Sequence, residues 1–221
     1  MEDVTIFFPD MDYGNSLFSN KKLTCITELT AAFRIEYGLV KLDANASEAA
    51  SYLLESIKQT TVGIGGSATV EALNVYDKLA AQNKVFWHWR VEDKAAARME
   101  AMQTEVYLTS ANALAETGEI INIDGSGNRC ASMFFGHKKI YYIIGRNKLT
   151  ADYDSAVWRA RNVAAPKRAQ QMNHKTPCAM KAGKCYDCKS PERICRGMVT
   201  LWGPMAGTQV EVLLVDEDLG L

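Results

Sequence analysis

The chain has 221 residues, 48% of them hydrophobic and 23% charged, with a formal net charge of −1. This balance argues against a disordered chain. It also argues against non-specific electrostatic binding of nucleic acid, so nucleic acid is not an expected partner. No apolar run approaches the roughly 18 residues that span a bilayer, and no basic leader follows Met1. We therefore expect a cytoplasmic protein that does not associate with membranes.

Short β-branched runs alternate with amphipathic stretches along most of the chain. The predicted strands, in chain order, are Leu39–Asp43, Thr61–Ile64, Lys84–Trp89, Val106–Thr109, Lys139–Gly145, Met198–Trp202 and Gln209–Val215. The predicted helices are Leu23–Tyr37, Ser47–Lys58 with Ser47 as its N-cap, Ala68–Gln82, Glu92–Gln103 and Tyr153–Val163. Ala165 and Pro166 predict a break after the last of these helices.

This alternation is typical of an α/β fold with a Rossmann-like, mostly parallel sheet. We interpret residues 21–165 as the α/β core and residues 166–221 as a cysteine-rich metal-binding loop followed by closing strands of the same domain. Residues 1–20 show no clear periodicity and are left unassigned.

Three loops that follow predicted strands carry residues suited to an anionic ligand. Ligands of open α/β sheets bind outside the carboxyl ends of the strands. In the first loop, Gly65 and Gly66 precede a helix that Ser67 or Thr69 could cap, and free N–H groups at such a turn favour phosphate or carboxylate. A plain structural turn would use the same residues.

The second and third loops add polar and cationic side chains. The candidate ligand-binding residues in them are Ser110, Asn112, Gly125, Ser126, Gly127, Asn128, Arg129, Asn147 and Lys148. Thr117 and Gly118 predict a hairpin turn inside the second loop. Two glycines around a serine would form a nest of N–H donors beside the Arg129 guanidinium, although Asp124 could equally be a helix cap and Arg129 a surface ion-pair partner.

Together the three loops predict a pocket for a small phosphorylated, carboxylated or CoA-type molecule. Glu116 and Asp124 are the carboxylates nominated for acid–base catalysis, although the sequence does not show that they meet.

Four of the six cysteines lie close together, in the spacing C-x6-C-x2-C-x6-C. They are Cys178, Cys185, Cys188 and Cys195. In a reducing cytosol, clustered thiols are more often metal ligands than disulfides. Four thiolates ligate either tetrahedral zinc or an iron–sulfur cluster, and the spacing alone leaves both open.

Several motifs, taken in order, resemble the LUD-domain family, which is named for lactate utilisation. They are GIGGSAT, TSANALAETGEIINIDGSGNR, IIGRNKL, RNVAAP, KTPC and GKCYDC. The resemblance extends from about Ser47 onward and implies a fold similar to the sugar-phosphate isomerase and CoA-transferase group, with Gly65, Gly66 and Ser67 in the position of that group's phosphate loop. It also implies a link to bacterial lactate oxidation beside partner subunits that carry iron–sulfur clusters.

The redox setting of the family favours a [4Fe–4S] cluster over zinc at the four cysteines, which only part of the family carries. The first hypothesis is a protein of lactate or 2-hydroxy-acid utilisation that binds a small anion and transfers electrons with partner subunits. The alternative is an isomerase- or CoA-transferase-like enzyme that acts on a phosphorylated or CoA-linked molecule and carries a structural zinc. The sequence leaves open whether the chain is an enzyme by itself.

Overall fold

A parallel sheet of six strands is the centre of the computed structural model, which describes residues 39–181 and 183–221. Its strands are β1 (Leu39–Asp43), β2 (Thr61–Ile64), β3 (Lys84–Trp87), β4 (Val106–Thr109), β7 (Lys139–Gly145) and β10 (Gln209–Val215), in the spatial order β1-β10-β7-β4-β2-β3. The predicted α/β fold with a mostly parallel sheet is confirmed. The helix predicted over Leu23–Tyr37 and the unassigned residues 1–20 lie outside the described residues.

Both faces of this sheet are buried, because alternate residues of its strands enter two separate cores. In β7, Tyr142 and Ile144 pack into one core, whereas Tyr141 and Ile143 pack into the other. A fully buried side chain of this size contributes about 1.5–3 kcal/mol. Such burial on both faces explains why these strands are continuous apolar runs in the sequence.

A second, four-stranded sheet stands beside the first. It contains β5 (Ala113–Ala115), β6 (Ile120–Asp124), β8 (Leu149–Thr150) and β9 (Gly197–Leu201), in the order β8-β5-β6-β9. β5 and β6 form an antiparallel hairpin around Gly118, whose φ of 114° suits a tight turn, so the hairpin predicted there is confirmed. β9 was predicted as Met198–Trp202, and it pairs with β6 rather than with the parallel sheet.

The helices cover the sheet and connect its strands. They are α1 (Ala46–Ser56), α2 (Ala68–Ala72), α3 (Tyr76–Ala80), α4 (Lys94–Ala101), α5 (Asn128–Phe134), α6 (Tyr153–Arg159), α7 (Ala165–Gln171) and α8 (Pro177–Lys181). Asn45, not Ser47, caps α1, because its side chain accepts a hydrogen bond from the Glu48 N–H at 3.0 Å. No helix in residues 39–181 and 183–221 has the length and apolar character needed to cross a membrane.

Two predicted helix boundaries were wrong. The helix predicted over Ala68–Gln82 is two short helices, since Asn74 between them has the left-handed φ of 50° that ends a helix. The break predicted at Pro166 does not occur, because a π-helical turn, Ala160–Ala164, joins α6 to α7. The π turn shifts the register of the backbone hydrogen bonds just before Pro166. The helix can therefore continue although Pro166 has no N–H to donate.

Candidate functional site

A cavity of about 430 Å³ lies at the carboxyl ends of β2 and β4, and we call it the site cavity. The predicted ligand residues that line it are Gly66, Ser67, Thr69, Ser110, Asn112, Gly125, Ser126, Asn128, Arg129 and Lys148. Gly65, Gly127 and Asn147 do not line it. All three predicted loops therefore reach one cavity, as expected for the carboxyl edge of a parallel sheet.

The three residues of these loops that do not line the cavity shape the backbone around it. A Cβ added at Gly65 would lie 2.9 Å from the Tyr107 hydroxyl, so a larger residue would require the buried Tyr107 side chain to shift. Gly127 has a φ of 84°, which glycine adopts without strain, and it precedes α5. The Asn147 side chain accepts a hydrogen bond from the Leu219 N–H at 3.2 Å and so anchors the chain after β10.

Lys148 places a buried amine in the wall of the cavity. Its side chain is 3% exposed, and its Nζ donates hydrogen bonds to Thr69 Oγ1 at 2.6 Å and Ser110 Oγ at 2.9 Å. Burial, together with the charges of Arg159 and Arg129, lowers the pKa of Lys148 to about 7. The amine is therefore divided between its charged and neutral forms near neutral pH.

Asp124 organises the start of α5. Its carboxylate accepts hydrogen bonds from the backbone N–H groups of Gly125 at 2.7 Å, Ser126 at 3.2 Å, Arg129 at 3.0 Å and Cys130 at 3.1 Å. Burial favours the neutral carboxyl, but the Arg129 charge and the N–H donors outweigh it and lower the pKa of Asp124. This geometry is that of a capping carboxylate, the structural alternative considered for this residue.

The two carboxylates nominated for acid–base catalysis do not meet. Glu116 lies at the turn of the hairpin, beyond β5, and is not among the residues that line the site cavity. Asp124 lies at the far end of β6, and a strand of this length spans roughly 13 Å. A proton relay between Glu116 and Asp124 is therefore not assembled here.

Aromatic residues after β3 form another wall of the cavity. The rings of Trp87, the last residue of β3, and Trp89 stack with centroids 5.6 Å apart. Trp89 lines the cavity, and the guanidinium carbon of Arg168 lies 5.1 Å from the centre of one of its rings. His88 is 5% exposed, and burial and the charges of Arg98 and Lys94 lower its pKa to about 4, so it is neutral. His88 was not predicted as a site residue because it was expected inside the strand.

The charged side chains that line the cavity are mostly positive. They are the cations Arg98, Arg129, Arg168, Arg193 and Arg196, the partly protonated Lys148, and the carboxylates Asp124 and Glu192. Both carboxylates have partners, since Glu192 accepts a hydrogen bond from the Lys175 N–H at 2.6 Å and lies 3.4 Å from His174. The net field in the cavity thus favours an anion.

The cysteine segment, Pro177–Cys195, borders this cavity on one side. Cys185 and Cys195 line a neighbouring cleft together with Arg193, which also lines the site cavity. The Arg193 guanidinium donates to the backbone carbonyls of Cys195 at 2.8 Å and Cys188 at 2.9 Å. One arginine therefore ties the cysteine segment to the site cavity.

The four thiols are not gathered around one point. Cys178 lies in α8, and its Sγ is 3.3 Å from the hydroxyl of Thr176, just before that helix, whereas Cys185 Sγ accepts from the Asp187 N–H at 3.3 Å. Within the described part of the chain, no three His, Cys, Asp or Glu side chains are arranged to hold a metal ion. The thiols suit a soft metal chemically, and the [4Fe–4S] or zinc site stays a prediction.

Cys130 has a different environment from the cysteine segment. It is 9% exposed in α5, and burial and the nearby Asp124 raise its pKa to about 11. A thiol with a raised pKa is a poor nucleophile, so Cys130 is best explained as a packing residue.

Comparison with known proteins agrees with this fold. The sequence matches the family model described as the LUD domain over residues 26–215. The chain belongs to the LUD domain family. It is also similar to the crystal structure of a DUF162 family protein from Deinococcus radiodurans, with a TM-score of 0.52 and 10% identity, covering 88% of this chain and 98% of that one. At this identity the similarity concerns the fold alone. A search of curated proteins found no match.

Proposed function

We propose that this LUD-domain protein acts in lactate or 2-hydroxy-acid utilisation and binds a small 2-hydroxy or 2-oxo acid in the site cavity. The observation that carries the proposal is the charge of the cavity, where positive side chains outnumber carboxylates that already have partners. The family, named for lactate utilisation, supports the same substrate class.

The cavity offers two kinds of groups to such an acid. The Arg129 guanidinium is suited to hold the carboxylate, because its planar fork matches two carboxylate oxygens. The Ser110 hydroxyl and the Lys148 amine, 2.9 Å apart, offer donors for the oxygen on C2. A three-carbon acid fills only part of a cavity of about 430 Å³, so a longer acid or a second ligand has room beside Arg168 and Trp89.

Replacing Arg129 with glutamine is expected to weaken binding of lactate and pyruvate at least tenfold, which corresponds to about 1.4 kcal/mol. The amide keeps polarity but loses the charge and the bidentate geometry. Isothermal titration calorimetry on the full chain measures the change. The matched control is Lys138→Gln, which also removes one positive charge. Lys138 precedes β7, so it lies at the end of that strand opposite to the site cavity. Equal affinities for wild type and Arg129→Gln would contradict the proposal.

We also propose that the cysteine segment takes up a [4Fe–4S] cluster and exchanges electrons with iron–sulfur partner subunits. Four thiols within one segment support it.

Protein purified without oxygen is expected to contain iron and acid-labile sulfide, and Cys185→Ser to lose most of both. Cys130→Ser is the control, because Cys130 lies outside the cysteine segment and its substitution should leave the iron content unchanged. Zinc at about one ion per chain would instead identify a structural site, and protein without any metal would reject both forms of the proposal.

A further inference from the structure

We propose that Lys148 is a nucleophilic amine that forms an imine with C2 of a 2-oxo acid held in the site cavity. This inference rests on the proposed function, because it requires the cavity to accept such an acid. It adds a covalent reaction to what would otherwise be a binding site.

The position of Lys148 differs from that of other lysines. The Lys138 amine lies 2.6 Å from Glu105, and the Lys139 amine lies 2.5 Å from Glu211. Lys148 contacts hydroxyl groups instead, and no carboxylate of the described residues is within ion-pair distance of it. A buried amine without a counter-charge is destabilised in its charged form, so its neutral form is favoured.

The charges near Lys148 also favour its neutral form. Arg129 at the start of α5 and Arg159 at the end of α6 are the ionised groups whose charges oppose protonation of Lys148. Arg159 is itself held in place, since its Nε donates to the Asn147 carbonyl at 2.8 Å. The pKa of about 7 makes a substantial fraction of the amine neutral at physiological pH. Desolvation beside other cations is a known way to activate lysine nucleophiles.

The hydroxyl partners of Lys148 are arranged for proton transfer. Thr69 Oγ1 donates to the Leu219 carbonyl at 3.3 Å, so toward Lys148 it acts as an acceptor. Ser110 Oγ, 2.9 Å from Nζ, is placed to exchange a proton with the amine and with an oxygen that forms beside it. One hydroxyl therefore orients the amine, and the other can move protons.

The proposed reaction needs no oxidant or reductant. The Nζ lone pair attacks C2, the C–N bond forms, and the C2–O π electrons move to oxygen, which takes up the proton that nitrogen loses. The resulting carbinolamine then breaks its C–O bond, and the hydroxyl leaves as water after gaining a second proton from nitrogen. The products are an imine and one water molecule. Arg129 would hold the carboxylate of the acid during both steps.

The test is reductive trapping of the full-length protein with pyruvate and sodium borohydride, followed by peptide mapping. We expect one reduced pyruvate adduct per chain, on Lys148, formed at least tenfold faster than adducts on Lys138. Lys148→Met should form no such adduct. Mapping on wild-type protein gives the result even if the variant does not fold. Comparison of Ser110→Ala with wild type adds a second measurement, and we expect the variant to react at least tenfold more slowly.

Calorimetry of pyruvate binding under the same conditions separates this inference from the proposed function. Binding without an adduct on Lys148 would overturn the imine and leave the binding function intact. Adducts confined to surface lysines would also overturn it. No binding and no adduct would reject both the inference and the proposed function.

Discussion

Lys148→Met is expected to flatten the pH dependence of stability between pH 7 and pH 10. A lysine in water has an ordinary pKa of 10.5, whereas in the folded protein the pKa of Lys148 is about 7. Between these values the unfolded chain holds a proton that the folded chain has released, so the free energy of unfolding rises with pH across this window. Below pH 7 both states are protonated, and the folded state bears the full cost of a buried charge.

The pKa difference corresponds to on the order of 5 kcal/mol, one of the two largest effects expected here. Methionine cannot be protonated, so at pH 6 the variant should be more stable than wild type, despite losing the bonds to Thr69 and Ser110 at about 1 kcal/mol each. Near pH 10 this advantage should disappear. Urea unfolding of wild type and Lys148→Met at pH 6, 8 and 10 measures the pH at which their stabilities become equal.

Comparing wild type with Lys148→Met also cancels the contribution of other titrating groups to the pH dependence of stability. Tyr107, whose pKa burial raises to about 12, titrates equally in wild type and Lys148→Met. The control Lys138→Gln removes an exposed lysine and should run parallel to wild type over the whole range. Parallel curves for Lys148→Met would show that the amine is not perturbed, and would also remove support for a neutral nucleophile.

The parts of this fold that the sequence predicts well are those in which local pattern and burial agree. The bounds of β2, β4, β7 and β10 match the predicted ones, because each is an apolar run buried in the parallel sheet. β5 was missed as a strand since Ala113–Ala115 has little intrinsic preference for one, and its pairing with β6 and β8 is decided by tertiary contacts.

In the site, too, some residues are predictable from the sequence and others depend on the complete fold. Thr69, Ser110 and Lys148 come from loops far apart in sequence, and their meeting follows from the rule that parallel strands end at one edge. Arg168 was missed because Pro166 was interpreted as a break, although the π turn carries the helix on to place Arg168 against Trp89. The burial that perturbs Lys148 depends on the complete fold and has no local signal.

Asp124→Ala is expected to lower the free energy of unfolding by about 3 kcal/mol, because four backbone N–H groups lose their acceptor. Gly127, which precedes α5, has no side chain to replace the cap. The folded pKa of Asp124 is lowered, so its stabilisation is present at neutral pH and is lost as the pH falls below the ordinary value of 3.8. The difference between wild type and Asp124→Ala should therefore shrink in acid.

Asp124→Asn separates the cap from a proton-transfer role. Asparagine retains one acceptor oxygen, suited to the bonds from Gly125 and Ser126, but its amide nitrogen cannot accept from the N–H groups of Arg129 and Cys130. We expect it to lose about half as much stability as alanine, and pyruvate affinity to fall in the same order because Arg129 loses its support. Chemical unfolding and calorimetry measure both. If both variants kept wild-type stability, the cap would be refuted, and Asp124 would again be a candidate for acid–base catalysis.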